Sequence, residues 1–102
     1  MIIVLGKVEV EVADRVAFIQ AVSALEAATR LEAGCISYAF GQDSAQPDLF
    51  WLCESWSDLA ALTAHLETSH IAAFRAATAP LNVRSFVAKR YDASNEVMLI
   101  SR

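Results

Sequence analysis

The sequence contains no apolar run near the ~20 residues that cross a bilayer, no cluster of basic residues and no cysteine pair at C-x-x-C spacing. Each absence closes a class of function. The Met1–Leu5 stretch is too short for a secretory signal and no basic region precedes it. Lys and Arg number 8 against 12 Asp and Glu, for a net charge of −4, so the phosphate neutralisation that nucleic acid requires is not on offer. Cys35 and Cys53 lie in separate apolar runs, where thiols behave as small buried hydrophobes. They are expected to be reduced, in a cytoplasmic protein, and to form neither a zinc site nor a redox pair. There are only 3 glycines, and no glycine-rich phosphate loop, flavin fingerprint or Ser/His/Asp constellation is present. No bound cofactor, no metal, no nucleic acid and no membrane partner is expected.

What is abundant is apolar side chain, 56% of 102 residues, with a mean hydropathy of +0.40. That share is high for a domain of this size, whose own core is small. The excess is expected to be buried against a second copy of the chain. Residues 1–102 read as one domain without repeat or linker.

Ile2 to Val12 alternates, with Ile2, Val4, Val8, Val10 and Val12 facing one way and Lys7, Glu9 and Glu11 the other, which predicts a strand. Asp14 is placed to cap a helix running to about Arg30, with Phe18, Ile19, Val22 and Leu25 as its stripe. Gly34 follows it, where a positive φ costs little. Cys35 to Gln42 and Leu49 to Trp56 read as a hairpin around the polar segment 43–48. Centring the loop there puts Tyr38 opposite Cys53 and Ser37 opposite Glu54. Ser57 to Leu66 reads as a helix with Leu59, Leu62 and Leu66 on one face. Thr68 or Ser69 caps a second helix to about Thr78, which Pro80 stops. Leu81 to Tyr91 and the short Val97 to Ile100 read as strands. The order β-α-β-β-α-β is the ferredoxin-like α+β arrangement with an antiparallel sheet. Leu49-Phe50-Trp51-Leu52-Cys53 is apolar on both faces, so a cover is expected on the side that the helices leave open.

Chemistry concentrates between Glu54 and Phe74, which include both histidines, Trp56 and a carboxylate inside an apolar strand. His65 and His70 are five residues apart, about 140° on an unbroken helix, which is not the spacing of a helical zinc pair. A break at Thr68-Ser69 would let both rings reach one cavity; otherwise each packs locally. Glu54 needs a partner, because an isolated buried charge costs several kcal/mol by order of magnitude. Arg84, Arg90 or a helix N-terminus would make it structural, whereas an imidazole or a substrate hydroxyl would make it functional. Tyr38, Phe40, Trp51, Trp56 and Phe74 are either core or the wall of an aromatic pocket.

Four segments carry a resemblance: Glu32-Ala33-Gly34-Cys35-Ile36-Ser37-Tyr38, Glu54-Ser55-Trp56-Ser57-Asp58, Ala61-Leu62-x-x-His65 and His70-x-x-x-Phe74. Together they resemble the antibiotic biosynthesis monooxygenase family of dimeric α+β barrels. The resemblance implies a homodimer with facing sheets and a pocket between each sheet and its helices. Members include cofactor-free oxygenases of phenolic or quinol-type molecules, haem-degrading enzymes, an isomerase of a sugar-derived signal and proteins of no known activity. The haem-degrading branch uses a first-strand Asn, a Trp in the middle helix and a later His. Here the first strand has no Asn, His65 falls near the Trp position and Phe74-Arg75 near the His position.

The resulting expectation is a cofactor-independent monooxygenase of a small aromatic, phenolic or quinone-type molecule. His65 or His70 would be the base, Tyr38 the donor to an oxyanion, and Glu54, Trp56 and Phe74 the substrate-binding residues. A non-catalytic dimeric barrel that binds a metabolite, or an isomerase using the same residues, are the alternatives. The tail strand is expected either to cross to a second copy or to fold back on its own sheet.

Overall fold

The alternating residues of Ile2–Val10 form strand β1 of the computed structural model, which describes all 102 residues. Ile2, Val4, Val8 and Val10 are buried, as their two-residue period requires. A 3-10 turn at Val12–Asp14 leads into α1 (Arg15–Thr29). Then come β2 (Cys35–Gln42), β3 (Leu49–Trp56), α2 (Leu59–Leu66), α3 (Ser69–Thr78) and β4 (Val83–Asp92). The four strands form an antiparallel sheet in the order β2-β3-β1-β4. This is the ferredoxin-like α+β topology, with no cis peptide bond.

One sheet face meets all three helices. Ile2, Val4, Leu52 and Trp56 of the sheet join Leu25, Leu62 and Ile71 of the helices in one buried cluster. Val8, Val10 and Phe50 join Phe18 and Val22 in another. Full burial of a side chain such as Phe18 contributes about 1.5–3 kcal/mol. The free edge at β2 is covered by α1: Phe40 N donates to Glu26 Oε2 at 2.9 Å and Arg30 Nε donates to the Tyr38 carbonyl at 2.9 Å. The opposite sheet face is bare. Leu5, Trp51, Val87 and Tyr91 are each about half exposed on it, and Trp51 is held there by donating to Asp43 Oδ1 at 2.9 Å.

Several expectations are corrected. The hairpin register is shifted by one residue: Tyr38 faces Glu54, and Ser37 faces Ser55. The loop closes through Asp43 N on the Leu49 carbonyl, and a bulge between Cys35 and Ser37 absorbs the extra residue. Both cysteines are free, but Cys53 lies exposed on the bare face rather than buried. Asp14 makes no cap; its Oδ2 accepts from Asn82 N at 2.8 Å and ties α1 to the approach of β4. Val12 and Ile19 are exposed rather than buried. The helix expected from Ser57 starts at Leu59, because Asp58 is its N-cap and accepts from Ala61 N at 2.8 Å. The strand expected from Leu81 starts at Val83. Val97–Ile100 forms no strand. Asn95, at φ 59°, turns the chain beyond β4, and Val97, Met98, Leu99 and Ile100 are all exposed. The alternative in which the tail folds back on its own sheet is therefore not what this chain adopts.

Candidate active site

The break between α2 and α3 builds the site. Thr68 donates its hydroxyl to the His65 carbonyl at 2.7 Å, and the same oxygen accepts from Ile71 N. One side chain thus ends α2 and caps α3, and the turn brings His65 and His70 together, their ring centroids 6.0 Å apart. Both rings meet Glu32, from the loop after α1. Its Oε2 lies 2.6 Å from His65 Nδ1 and 2.7 Å from His70 Nε2. Where Glu32 is ionised its oxygen only accepts, and both nitrogens then carry hydrogen.

Glu32 reaches this place because its loop approaches the start of α2 closely. Gly34 adopts φ +83°, and a Cβ there would lie 2.6 Å from Ala61 Cβ and 2.7 Å from Ser57 Oγ. The Gly34 carbonyl also accepts from Ser57 N at 2.8 Å. Only glycine fits both the backbone conformation and the gap.

The His65 ring is fully buried and held between two aromatics, with the Trp56 ring centroid at 4.8 Å and that of Tyr38 at 5.2 Å. With Nδ1 on Glu32, the neutral ring has Nε2 as its unprotonated nitrogen. His65 lines a cavity of about 550 Å³ between the sheet and the pair α2 and α3. Tyr38, Glu54, Phe74 and Arg90 line it too. Tyr38, Glu54, Val4 and Arg90 are successive cross-strand partners, so one row of the sheet gives the cavity its floor. In the adjacent row Leu52 and Ala88, the cross-strand neighbours of Gly6, also line the cavity.

Glu54 is buried, and its partner is neither Arg84 nor Arg90. Trp56 Nε1 donates to Glu54 Oε1 at 2.8 Å, whereas Arg84 is engaged by Asp48 and Glu11. Burial pushes the Glu54 carboxyl above its ordinary range; the indole N–H and His65 pull the other way, and Glu32 adds to the rise. Burial, reinforced by Glu54, Glu26 and Glu32, pushes the Tyr38 phenol far up, so it remains an O–H donor. Burial likewise raises the Cys35 thiol, helped by Glu32 and Glu54, which disfavours a nucleophilic thiolate.

Of the residues singled out in the sequence, His65, Tyr38, Glu54 and Phe74 line the cavity. His70 stands behind Glu32 and is partly open to solvent. Trp56 is completely buried and acts through Glu54 and His65 rather than as a cavity wall. Glu32 was not singled out for chemistry; its signal is the short run Glu32-Ala33-Gly34, where an acid stands two residues before a glycine in the left-handed region.

Glu32, His65 and His70 also form a donor set whose ligand atoms lie within 4.8 Å of one another. The N···O separations of 2.6 and 2.7 Å are shorter than the about 3.3 Å between ligand atoms around tetrahedral zinc. In this structure Glu32 Oε2 is the shared hydrogen-bond partner of both imidazoles.

Comparison with known proteins agrees with this architecture. A Deinococcus radiodurans protein provisionally assigned as an antibiotic biosynthesis monooxygenase superposes with a TM-score of 0.92 at 27% identity, over 99% of this chain and 100% of that one. A Bacteroides thetaiotaomicron protein of unknown function, described as a candidate oxidoreductase, gives 0.81 at 29% identity over 88% of this chain and 94% of that one. An uncharacterized Synechocystis protein is 33% identical over 73 residues, which are 72% of this chain and 50% of that protein. The chain thus spans about half the length of that curated relative. The family model for antibiotic biosynthesis monooxygenases matches residues 1–77, a span that contains Glu32, Tyr38, Glu54, His65 and His70, and the chain belongs to that family.

Proposed function

We propose that the cavity carries out cofactor-independent monooxygenation of a small phenolic or quinol-like molecule. The observation that supports this most is the His65 ring, fixed through Nδ1 on Glu32 and lining an apolar cavity beside a protonated phenol. An electron-rich substrate with an acidic C–H or O–H gives its proton to His65 Nε2. The resulting anion transfers an electron to dioxygen, and recombination forms a C–O bond to a peroxide, which takes the proton back from His65. Loss of water leaves a carbonyl, so one oxygen atom ends in the product and one in water. The substrate supplies all the electrons. The protein's tasks are a positioned base, a donor for the oxyanion and a dry apolar wall. Tyr38 is the donor; Phe74 and Phe40 belong to the wall.

The working unit in this proposal is a homodimer joined through the bare sheet face. Leu5, Trp51, Val87 and Tyr91 form an apolar surface there of the kind monomers seldom leave in water, and the exposed Val97–Ile100 segment supplies a strand to the second copy.

Oxygen uptake with a panel of anthrone- and quinol-type compounds tests the proposal. Uptake that vanishes when both imidazoles are replaced supports it. Tight binding of those compounds without uptake would make the protein a sequestering module instead.

A further inference from the structure

The cavity is more cationic than the protein that contains it. The chain has a net charge of −4 and only 8 Lys and Arg, yet Arg75, Lys89 and Arg90 all line this one cavity. Arg30 is spent on Glu26 and the Tyr38 carbonyl, and Arg84 on Asp48 and Glu11. The side chains of Arg75, Lys89 and Arg90 take part in none of the ion pairs or hydrogen bonds of the chain; Arg75 contributes only its carbonyl, to the Thr78 hydroxyl. The one acid in the lining, Glu54, is already engaged by Trp56. Arg75 and Arg90 are both exposed, yet they come from α3 and β4 on either side of the same cavity, and neither is paired with an acid.

We propose that the substrate carries an anionic group, a carboxylate or its equivalent, held by Arg90 from the sheet and Arg75 from α3. The proposal rests on the cavity being the substrate site and adds to it the polarity and length of the molecule. Arg90 stands in the cross-strand row Tyr38–Glu54–Val4–Arg90. Strands are spaced about 4.8 Å apart, so the Arg90 backbone lies about 10 Å from Glu54 and about 14 Å from Tyr38. A fused two- or three-ring phenol bridges that span, with its hydroxyl at His65 and Tyr38 and its carboxylate at the guanidinium groups. Guanidinium takes a carboxylate with two parallel hydrogen bonds, and two cations facing one opening attract an anion together. Lys89 also borders the hollow on the bare face, so its share in holding the anion is the smaller one.

Binding of three ring-matched probes decides the matter: a naphthol, the corresponding hydroxynaphthoate and a naphthoate lacking the hydroxyl. The hydroxynaphthoate should bind at least about tenfold tighter than the naphthol, as one charged hydrogen-bonded contact gives. That preference should shrink with added salt and fall below about threefold in Arg90→Gln, where roughly 1.4 kcal/mol corresponds to each factor of ten. Arg75→Gln should weaken it as well, and Arg84→Gln, whose guanidinium is already paired, should leave it unchanged. Equal affinity for naphthol and hydroxynaphthoate, or a preference that survives in both Arg90→Gln and Arg75→Gln, overturns the anion site while leaving the phenol reading in place. A naphthoate that binds as tightly as the hydroxynaphthoate, with the Arg90 dependence intact, keeps the anion site and removes the phenol reading. Failure of all three probes to bind overturns both.

Discussion

Glu32 Oε2 and His65 Nδ1 are 2.6 Å apart, although 33 residues of chain separate them, and this contact sets which nitrogen of the buried imidazole is left without a proton. His65→Gln removes the proposed base and should lower turnover by about 10²–10⁴-fold, the usual contribution of a general base. Glu32→Gln keeps a similar shape but no longer enforces the Nδ1–H form, so a loss of about 10–100-fold is expected. His70→Gln leaves the Glu32–His65 contact in place and should cost less than tenfold. Steady-state kinetics on the three variants, read as kcat and KM separately, checks this order. A His70 effect equal to that of His65 would contradict it.

Glu54 gives a pH-dependent stability of known sign. Its carboxyl is raised in the folded protein, first by burial. A raised group favours the folded state below its unfolded value, and that contribution is lost as pH rises through the folded value. Glu54→Gln, which can still accept from Trp56, should therefore gain stability relative to the parent as pH climbs from about 4.3. The difference should level off once Glu54 is ionised. Urea unfolding of both proteins across that range measures it; a difference that grows toward acid pH would reverse the assignment.

Gly34 links backbone geometry to the site. Gly34→Ala must take φ +83° and press a methyl group on Ala61 and Ser57, which should cost about 1–3 kcal/mol. Because the same loop carries Glu32, activity should fall further than the folded fraction accounts for. A variant with full activity at reduced stability would separate the loop from the site.

The bare sheet face and the tail predict the assembly. Sedimentation at low micromolar concentration should show a dimer, and Trp51→Asp should weaken it by placing a charge at the centre of the apolar face. Deleting residues 96–102 should also weaken the dimer while leaving helicity unchanged. A dimer constant that ignores the deletion would mean the tail does not cross.

Much of this architecture was legible because period and punctuation coincide. The valines of β1, the Thr68 cap and Gly34 each have one geometric solution, and β2 and β3 have the bounds their patterns suggest. The register of the 35–56 hairpin was not legible, since a bulge near Ile36 and the closure at Asp43 depend on contacts that pattern does not encode. That single slip decides whether Tyr38 shares a face with Glu54. Glu32 was hidden for a similar reason: an acid in a loop between a helix and a strand looks solvated until tertiary packing brings two imidazoles to it. The sequence alone offers Arg84 and Arg90 as partners for Glu54, but the acid's own neighbour Trp56 takes that place.

Base catalysis by His65 depends on the protonation pattern of one ring. Long-range proton–nitrogen correlation spectra of nitrogen-labelled protein, recorded where the imidazoles are neutral, report which His65 nitrogen bears hydrogen. Hydrogen is expected on Nδ1, with Nε2 bare, and that preference should be lost in Glu32→Gln. Hydrogen on Nε2 in the parent protein would contradict this assignment, because the unprotonated nitrogen would then be the one held against Glu32.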